Sequence, residues 1–242
     1  SRWRCRWDWV RPGSMSTEHD SDRVSRPRRP RADDGLFVVG LVGRAGSGKG
    51  AAAAAWSADG ALVIEADRVG HEVTDNDPAV RAALAAEYGP DVYDADGRLD
   101  RERVAARVFA DPAARARLDR LVHPVLVAGL RRRLEVLRGR GWCGTVVLDA
   151  ALLLEWGMER ECDAVVAVTA PEAEQLRRLM RSRGWSADQA RQRLAAQRTN
   201  EAFAAAADAV IENAGSPEEL AAAARAALAS LRAARQEEEG AC

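Results

Sequence analysis

Five short apolar runs punctuate this chain, and the stretches between them repeat their apolar positions at helical spacing. The runs are residues 36–42 (LFVVGLV), 61–65 (ALVIE), 145–149 (TVVLD), 164–168 (AVVAV) and 208–213 (DAVIEN). Runs of this length, bounded by glycine or acids, predict strands buried on both faces. The alanine-rich stretch 49–57 predicts a helix after the first run. Residues 78–138 read as helix in several pieces. A turn at 94–97 divides them, and Asp111-Pro112 opens a longer segment with Leu118, Leu121, Val122, Val125, Leu126 and Leu130 on one stripe. Residues 150–155 read as a continuation of the third strand. A helical pair follows the fourth, broken at Gly184-Trp185, with Ser186 capping its second member. Residues 217–235 form a closing amphipathic helix, and the end at 236–242 is expected to fray. This alternation predicts an α/β chain, a five-stranded parallel sheet with helices on both faces.

Residues 1–34 stand apart. They carry Pro, Arg, Ser and Asp without a periodic apolar pattern, which predicts disorder. They lack the apolar centre of a secretory signal; Met15 is expected to be the natural start, with Gly13-Ser14 before it a cloning scar. Arginines interleaved with acids argue against a basic arm for RNA or acidic lipid. The rest reads as one domain, 35–235, with a helical insertion at about 68–140 and a second at about 175–200.

The turn after the first run carries the chemistry. GRAGSGK places Gly43, Gly48 and Lys49 at the spacing of the phosphate-binding loop, G-x-x-x-x-G-K, with Gly46 between them. Such a loop curls with its N–H groups inward, and a Cβ inside it would meet a bound triphosphate. The helix starting near Lys49 adds the partial positive charge of its N-terminus. Lys49 adds a mobile full charge for the β- and γ-phosphate oxygens. The nucleotide-binding set is therefore Gly43, Ala45, Gly46, Ser47, Gly48, Lys49, Gly50 and Ala51. Lys49 is the only lysine among 36 lysines and arginines. A chain that uses arginine everywhere else keeps the slim ammonium here. The next position usually carries a hydroxyl that binds Mg²⁺. Gly50 and Ala51 have none, so Mg²⁺ would be held through water, the nucleotide and carboxylates elsewhere.

Those carboxylates stand at strand ends. Asp67 follows the second run, where open parallel sheets place ligand groups, and it shares a side with Glu65 if the extended chain continues. It reads equally as a helix N-cap, and the two readings are compatible. Asp149 ends the third run, where an acid orders the Mg²⁺ shell in phosphate-loop folds or else caps a turn. His123, inside the helical stripe, reads as a packed or capping residue unless geometry makes it a base. The arginines at 131–133, 138 and 140 read as a solvated face. For those of the helical pair two readings stand open, solvated surface or a lid closing over the γ-phosphate. Arg178 and Arg181 are the favoured lid residues.

The totals narrow the classes. A length of 242 residues suits one main domain with insertions. A net charge of −1 gives no electrostatic case for nucleic acid. No run approaches the roughly 20 apolar residues of a membrane span, so a cytoplasmic chain with no membrane partner is expected. Cys5, Cys143, Cys162 and Cys242 show no CxxC or CxH spacing, which predicts reduced thiols and no metal site among them.

Taken together, these segments resemble the dephospho-CoA kinase family of P-loop kinases. The likeness covers about residues 36–232 and rests on the order of many motifs. They are GLVGRAGSGK at the loop, Ile64-Glu-Ala-Asp67, Gly97-Arg-Leu-Asp-Arg101, Val108-Phe109 with Asp111, and His123-Pro124. Asp149-Ala-Ala-Leu-Leu-Leu-Glu155, Gln175-Leu-Arg-Arg178, Arg193-Leu-Ala-Ala-Gln197 and the segment from Ala207-Asp208 to Asn213 follow. The resemblance implies a P-loop NTPase-like fold and an ATP- and Mg²⁺-dependent transfer to the ribose 3′-hydroxyl of dephospho-CoA. By it, Asp67 matches the acid facing that hydroxyl, the insertion at 68–140 is the CoA side, and the arginine helices are the lid. The chain differs from the pattern at Gly50 and Ala51, at Glu65 for an aspartate, at Ala151 for a proline, at Ser182 for an arginine, and in 202–206, which lack a basic residue. Two alternatives stand beside it: a kinase of the same fold acting on a nucleoside monophosphate or other small hydroxyl compound, and a nucleotide-binding protein without turnover.

Overall fold

The computed structural model describes residues 35–109 and 111–240; the readings for 1–34 and 241–242 lie outside these residues. The described elements begin with β1 (Leu36–Val42), α1 (Lys49–Ala58), β2 (Leu62–Glu65), α2 (Ala66–Asn76), α3 (Pro78–Tyr88), α4 (Arg101–Phe109) and α5 (Pro112–Gly139). They continue with β3 (Gly144–Asp149), β4 (Ala164–Thr169), α6 (Glu172–Arg183), α7 (Ala187–Ala195), α8 (Asn200–Ala205), β5 (Ala209–Glu212) and α9 (Pro217–Gly240). Two compact units result. Ile64–Arg140 form a helical unit, and the remaining described residues form a unit built on the sheet.

The sheet has the order β2-β3-β1-β4-β5, and β1 pairs in parallel with both β3 and β4, as β4 does with β5. All seven residues of β1 are buried, as its unbroken apolar run requires of a central strand. On one face Phe37, Val39, Leu41, Val147, Val166 and Val168 pack with Trp56 of α1 and Leu220, Ala224 and Leu228 of α9. Trp56 is fully buried because its indole N–H finds a partner, the Ala224 carbonyl at 2.7 Å.

Acids ahead of β4 and β5 set the register. Asp163 donates its N–H to the Val38 carbonyl at 2.8 Å and accepts from the Val38 N–H at 2.7 Å. Asp208 repeats both bonds with Val165 at the same distances. Each carboxylate thus satisfies a strand N–H that the ladder leaves over.

The helical unit packs Val80, Leu84, Tyr88, Val92, Leu99 and Val104 against Leu118 and Val122 of α5. Of the predicted stripe, Leu118, Val122, Leu126 and Leu130 are buried, while Leu121 and Val125 are half-buried. Asp111 caps α5, accepting from the Ala113 N–H at 2.8 Å. The helix runs on through Pro124.

Three local expectations are corrected. Asp67 is neither an N-cap nor part of an extended segment. Helix α2 starts at Ala66, directly on the end of β2, and its N-cap is Glu65. Residues 150–155 do not prolong β3; the chain turns at Ala150, with bonds from the Leu153 N–H to the Ala150 carbonyl and from the Trp156 N–H to the Leu152 carbonyl. Leu153 and Leu154 are buried there, so a packed turn carries the apolar signature of a strand. Helix α9 runs to Gly240, past the expected helix end at 235. The short α8, capped by Thr199 through the Ala202 N–H at 3.2 Å, has no apolar stripe to announce it.

Candidate active site

β1 lies at the middle of the sheet, between β3 and β4, so the loop leaving its C-terminal end stands where parallel sheets bind ligands. Gly48 has φ +106°, and a Cβ on it would overlap the Asn213 side-chain nitrogen. That nitrogen donates to the Ser47 carbonyl at 2.8 Å. Helix α1 begins at Lys49, and no side chain caps it at Gly48. A helix start left uncapped by side chains suits an anion. The Lys49 ammonium arches back over the loop and donates to the Gly43 carbonyl at 2.8 Å. The predicted binding residues Gly43, Ala45, Gly46, Ser47, Gly48, Lys49, Gly50 and Ala51 are thus one turn of chain and the first residues of one helix.

The helical pair α6–α7 belongs to the same unit. Arg178 does not extend as a free lid residue. Its guanidinium donates to Glu174 at 2.6 Å, to the Gly46 and Ser47 carbonyls at 3.2 and 3.4 Å, and to Asn213. Hydrogen bonds from Arg177, joined by those from Arg178, hold the Glu174 carboxyl below its usual range. Arg181, one turn on in α6, is exposed. Ser186 caps α7 with Gln189 in a reciprocal capping box.

Two loop contacts escaped the sequence reading. Arg44 is 6% exposed; it donates to Glu172 at 2.9 Å and to the Leu194 carbonyl at 2.7 Å. The Ala45 N–H donates to the Gln197 side-chain oxygen at 2.8 Å. The one available signal was an arginine inside a loop of small residues, since a charge in such a place must find partners.

Asp149 is buried at the end of β3, in register with Leu41 one residue before the end of β1. Mg²⁺ in nucleotide sites takes one or two carboxylates, phosphate oxygens and waters. Asp149 beside the loop fits so sparse a set. Ser47, the only loop hydroxyl, is fully buried. At Gly50, exposed, an added Cβ would meet nothing within 4 Å.

In the helical unit Asp67 occupies the first turn of α2, where a carboxylate is favoured by the helix dipole. His71, one turn later, has its pKa lowered by burial and by Arg101, with Asp67 and Asp75 opposing. Arg101 ties Asp75 at 2.9 Å and the Thr74 hydroxyl at 3.3 Å. His123 sits 3.6 Å from Asp119 within α5 and is brought to about 4 by burial, as befits a packed histidine.

A phosphate loop at the end of the central parallel strand, its lysine in place and an arginine-bearing helical pair around it, defines a P-loop nucleotide-binding protein of the α/β class. The sequence model of the family described as dephospho-CoA kinase matches residues 37–219. The chain belongs to the dephospho-CoA kinase family. It is 43% identical over 185 residues to the dephospho-CoA kinase of Frankia casuarinae, covering 76% of this chain and 79% of the relative. Identity to that of Anaeromyxobacter dehalogenans is 42% over 200 residues, 83% and 94% of the two chains. Among solved structures it is similar to TT1252 from Thermus thermophilus, at TM-score 0.66 and 33% identity, covering 81% of this chain and 98% of that one. A dephospho-CoA kinase from Campylobacter jejuni, at 18% identity and TM-score 0.58, shares the fold. Among the described residues, no helix is long and apolar enough to cross a membrane.

Proposed function

We propose that this chain transfers the γ-phosphoryl group of ATP to the ribose 3′-hydroxyl of dephospho-CoA, giving coenzyme A and ADP, the last step of coenzyme A synthesis. The observation that carries this is the glycine loop with Lys49 across it, in a chain of this family over most of its length. Phosphoryl transfer asks the protein mainly for positioning and charge stabilisation. The loop N–H groups and the start of α1 take the phosphates, and Lys49 offsets charge on the β- and γ-oxygens. Arg178 braces the loop, and Arg181, free of the core, is the lid cation that meets the γ-phosphoryl. The bond from the 3′-oxygen to the γ-phosphorus forms as the bond to the β–γ bridging oxygen breaks. Asp67 accepts the hydroxyl proton late in that step. Mg²⁺, held through water by Asp149 and by the nucleotide, would neutralise phosphate charge. The helical insertion forms the acceptor side, and a cytoplasmic setting belongs to the same proposal.

The test is ADP release from Mg-ATP with dephospho-CoA, AMP, other nucleoside monophosphates or no acceptor, with mass analysis of the product. Release with dephospho-CoA alone and a 3′-phosphorylated product is the expected result. Lys49→Ala should abolish turnover. Asp67→Asn should keep ATP binding and lose transfer, and near-normal turnover in that variant would sink the base assignment. The missing hydroxyl at Gly50 favours one second reading, a nucleotide-binding protein without turnover, which ATP binding without transfer to any acceptor would reveal.

A further inference from the structure

The first half of the phosphate loop is shaped from outside by the α6–α7 pair. Three consecutive residues are held in turn. The Arg44 guanidinium reaches the Leu194 carbonyl in the last turn of α7 and the Glu172 carboxylate in the first turn of α6. The Ala45 N–H is taken by Gln197, two residues past the end of α7. Gly46, at φ +75°, lies so close to α6 that a Cβ would come within 2.8 Å of the Gln175 carbonyl oxygen and 3.0 Å of its Cα. A cation at the C-terminus of α7 answers carbonyls that the helix leaves over.

Stability alone is a poor reason for this arginine. Burying a guanidinium costs desolvation that an apolar side chain of similar size avoids. Its Nε–H is buried with no hydrogen-bond partner among the described residues, a further cost. What an arginine offers and a methionine lacks is direction: two fixed donors tie one loop residue to the ends of two helices.

We propose that Arg44 is a positioning residue for the phosphate donor: with Gln197 it fixes which N–H groups of the loop face the nucleotide, a reading that rests on the ATP-dependent transfer proposed above. Arg44 touches no substrate and acts through the loop backbone. Its loss therefore weakens phosphate binding and leaves the acceptor alone.

The test compares Arg44→Met, Arg44→Lys and Gln197→Ala with the parent chain by steady-state kinetics, ADP titration and thermal unfolding. Arg44→Met is expected to raise KM for ATP and weaken ADP binding roughly tenfold, the scale of one charge-assisted hydrogen bond, with KM for dephospho-CoA unchanged. Arg44→Lys should recover part of the loss, since a single ammonium reaches one acceptor at a time. The double variant with Gln197→Ala should lose less than the sum of the two single effects. Parental ADP affinity in Arg44→Met, whatever its Tm, overturns the proposal, as does an equal rise in both KM values. If Arg44→Met does not fold, Gln197→Ala decides, because it leaves the buried arginine in place: weaker ADP binding supports the proposal and parental binding overturns it. A parent chain that transfers nothing to dephospho-CoA would remove the acceptor assignment, and ADP titration would still read the effect of Arg44.

Discussion

At Gly50 the loop lacks an atom that its chemistry can use. The residue is the second of α1, is exposed, and has open space where a Cβ would stand. Gly50→Ser therefore adds a hydroxyl without displacing a neighbour and gains about 0.5 kcal/mol of helix propensity. The expected outcome is higher turnover at limiting Mg²⁺ and little change at saturation, read from a Mg²⁺ titration of the rate. Superimposed titration curves would mean that Asp149 and water already hold the metal. Gly48 is the opposite case two residues earlier. At φ +106°, with the Asn213 amide against it, it accepts no side chain, and Gly48→Ala should abolish nucleotide binding in a direct ADP titration. Full ADP affinity in that variant would show that the loop re-forms in another shape.

Within α5 two half-buried groups one turn apart have their pKa values moved in opposite directions. Burial lifts the Asp119 carboxyl to about 6, with Arg115 opposing, and lowers His123 to about 4. Between about pH 6 and the ordinary aspartate value near 3.9, folded Asp119 holds a proton that the unfolded chain does not, so acidification stabilises the fold. Between about pH 6.5 and 4 the unfolded chain protonates His123 while the folded chain refuses, so acidification destabilises it. The two contributions offset each other in the parent. Relative to the parent, Asp119→Asn should lose Tm as pH falls from 6.5 to 4, and His123→Gln should gain it. Thermal unfolding across that range checks both, and Tm differences from the parent that do not change with pH would exclude the pair as titrating groups.

Across the described residues, what the sequence made legible were features with local causes. The strands were readable because each is a short apolar run with an acid or glycine at one end or the other, and the loop because special backbone needs glycine. The turn at 150–155 and the start of α2 were not, since packing decides whether an apolar stretch continues straight. Arg44 finds its partners 128 and 150 residues away, and Arg178 reaches a loop more than 130 residues earlier; no spacing rule contains such pairs. Arg235 is a third case of this kind. From the last helix it donates to the Leu36 carbonyl at 2.7 Å, lies 3.3 Å from the Asp163 carboxylate and stands over the Phe37 ring at 5.5 Å. Its side chain is 10% exposed, so these contacts are shielded from water and salt. Removing it leaves Asp163 with its bond from Val38 and the Leu36 carbonyl without this donor. Arg235→Met should therefore cost about 1–3 kcal/mol, seen as a lower Tm. The loss falls at the start of β1, about 20 Å of extended strand from the phosphate loop, so ADP affinity at room temperature should match the parent. Weaker ADP binding in a folded Arg235→Met protein would show that strain at one end of the central strand reaches the loop at the other.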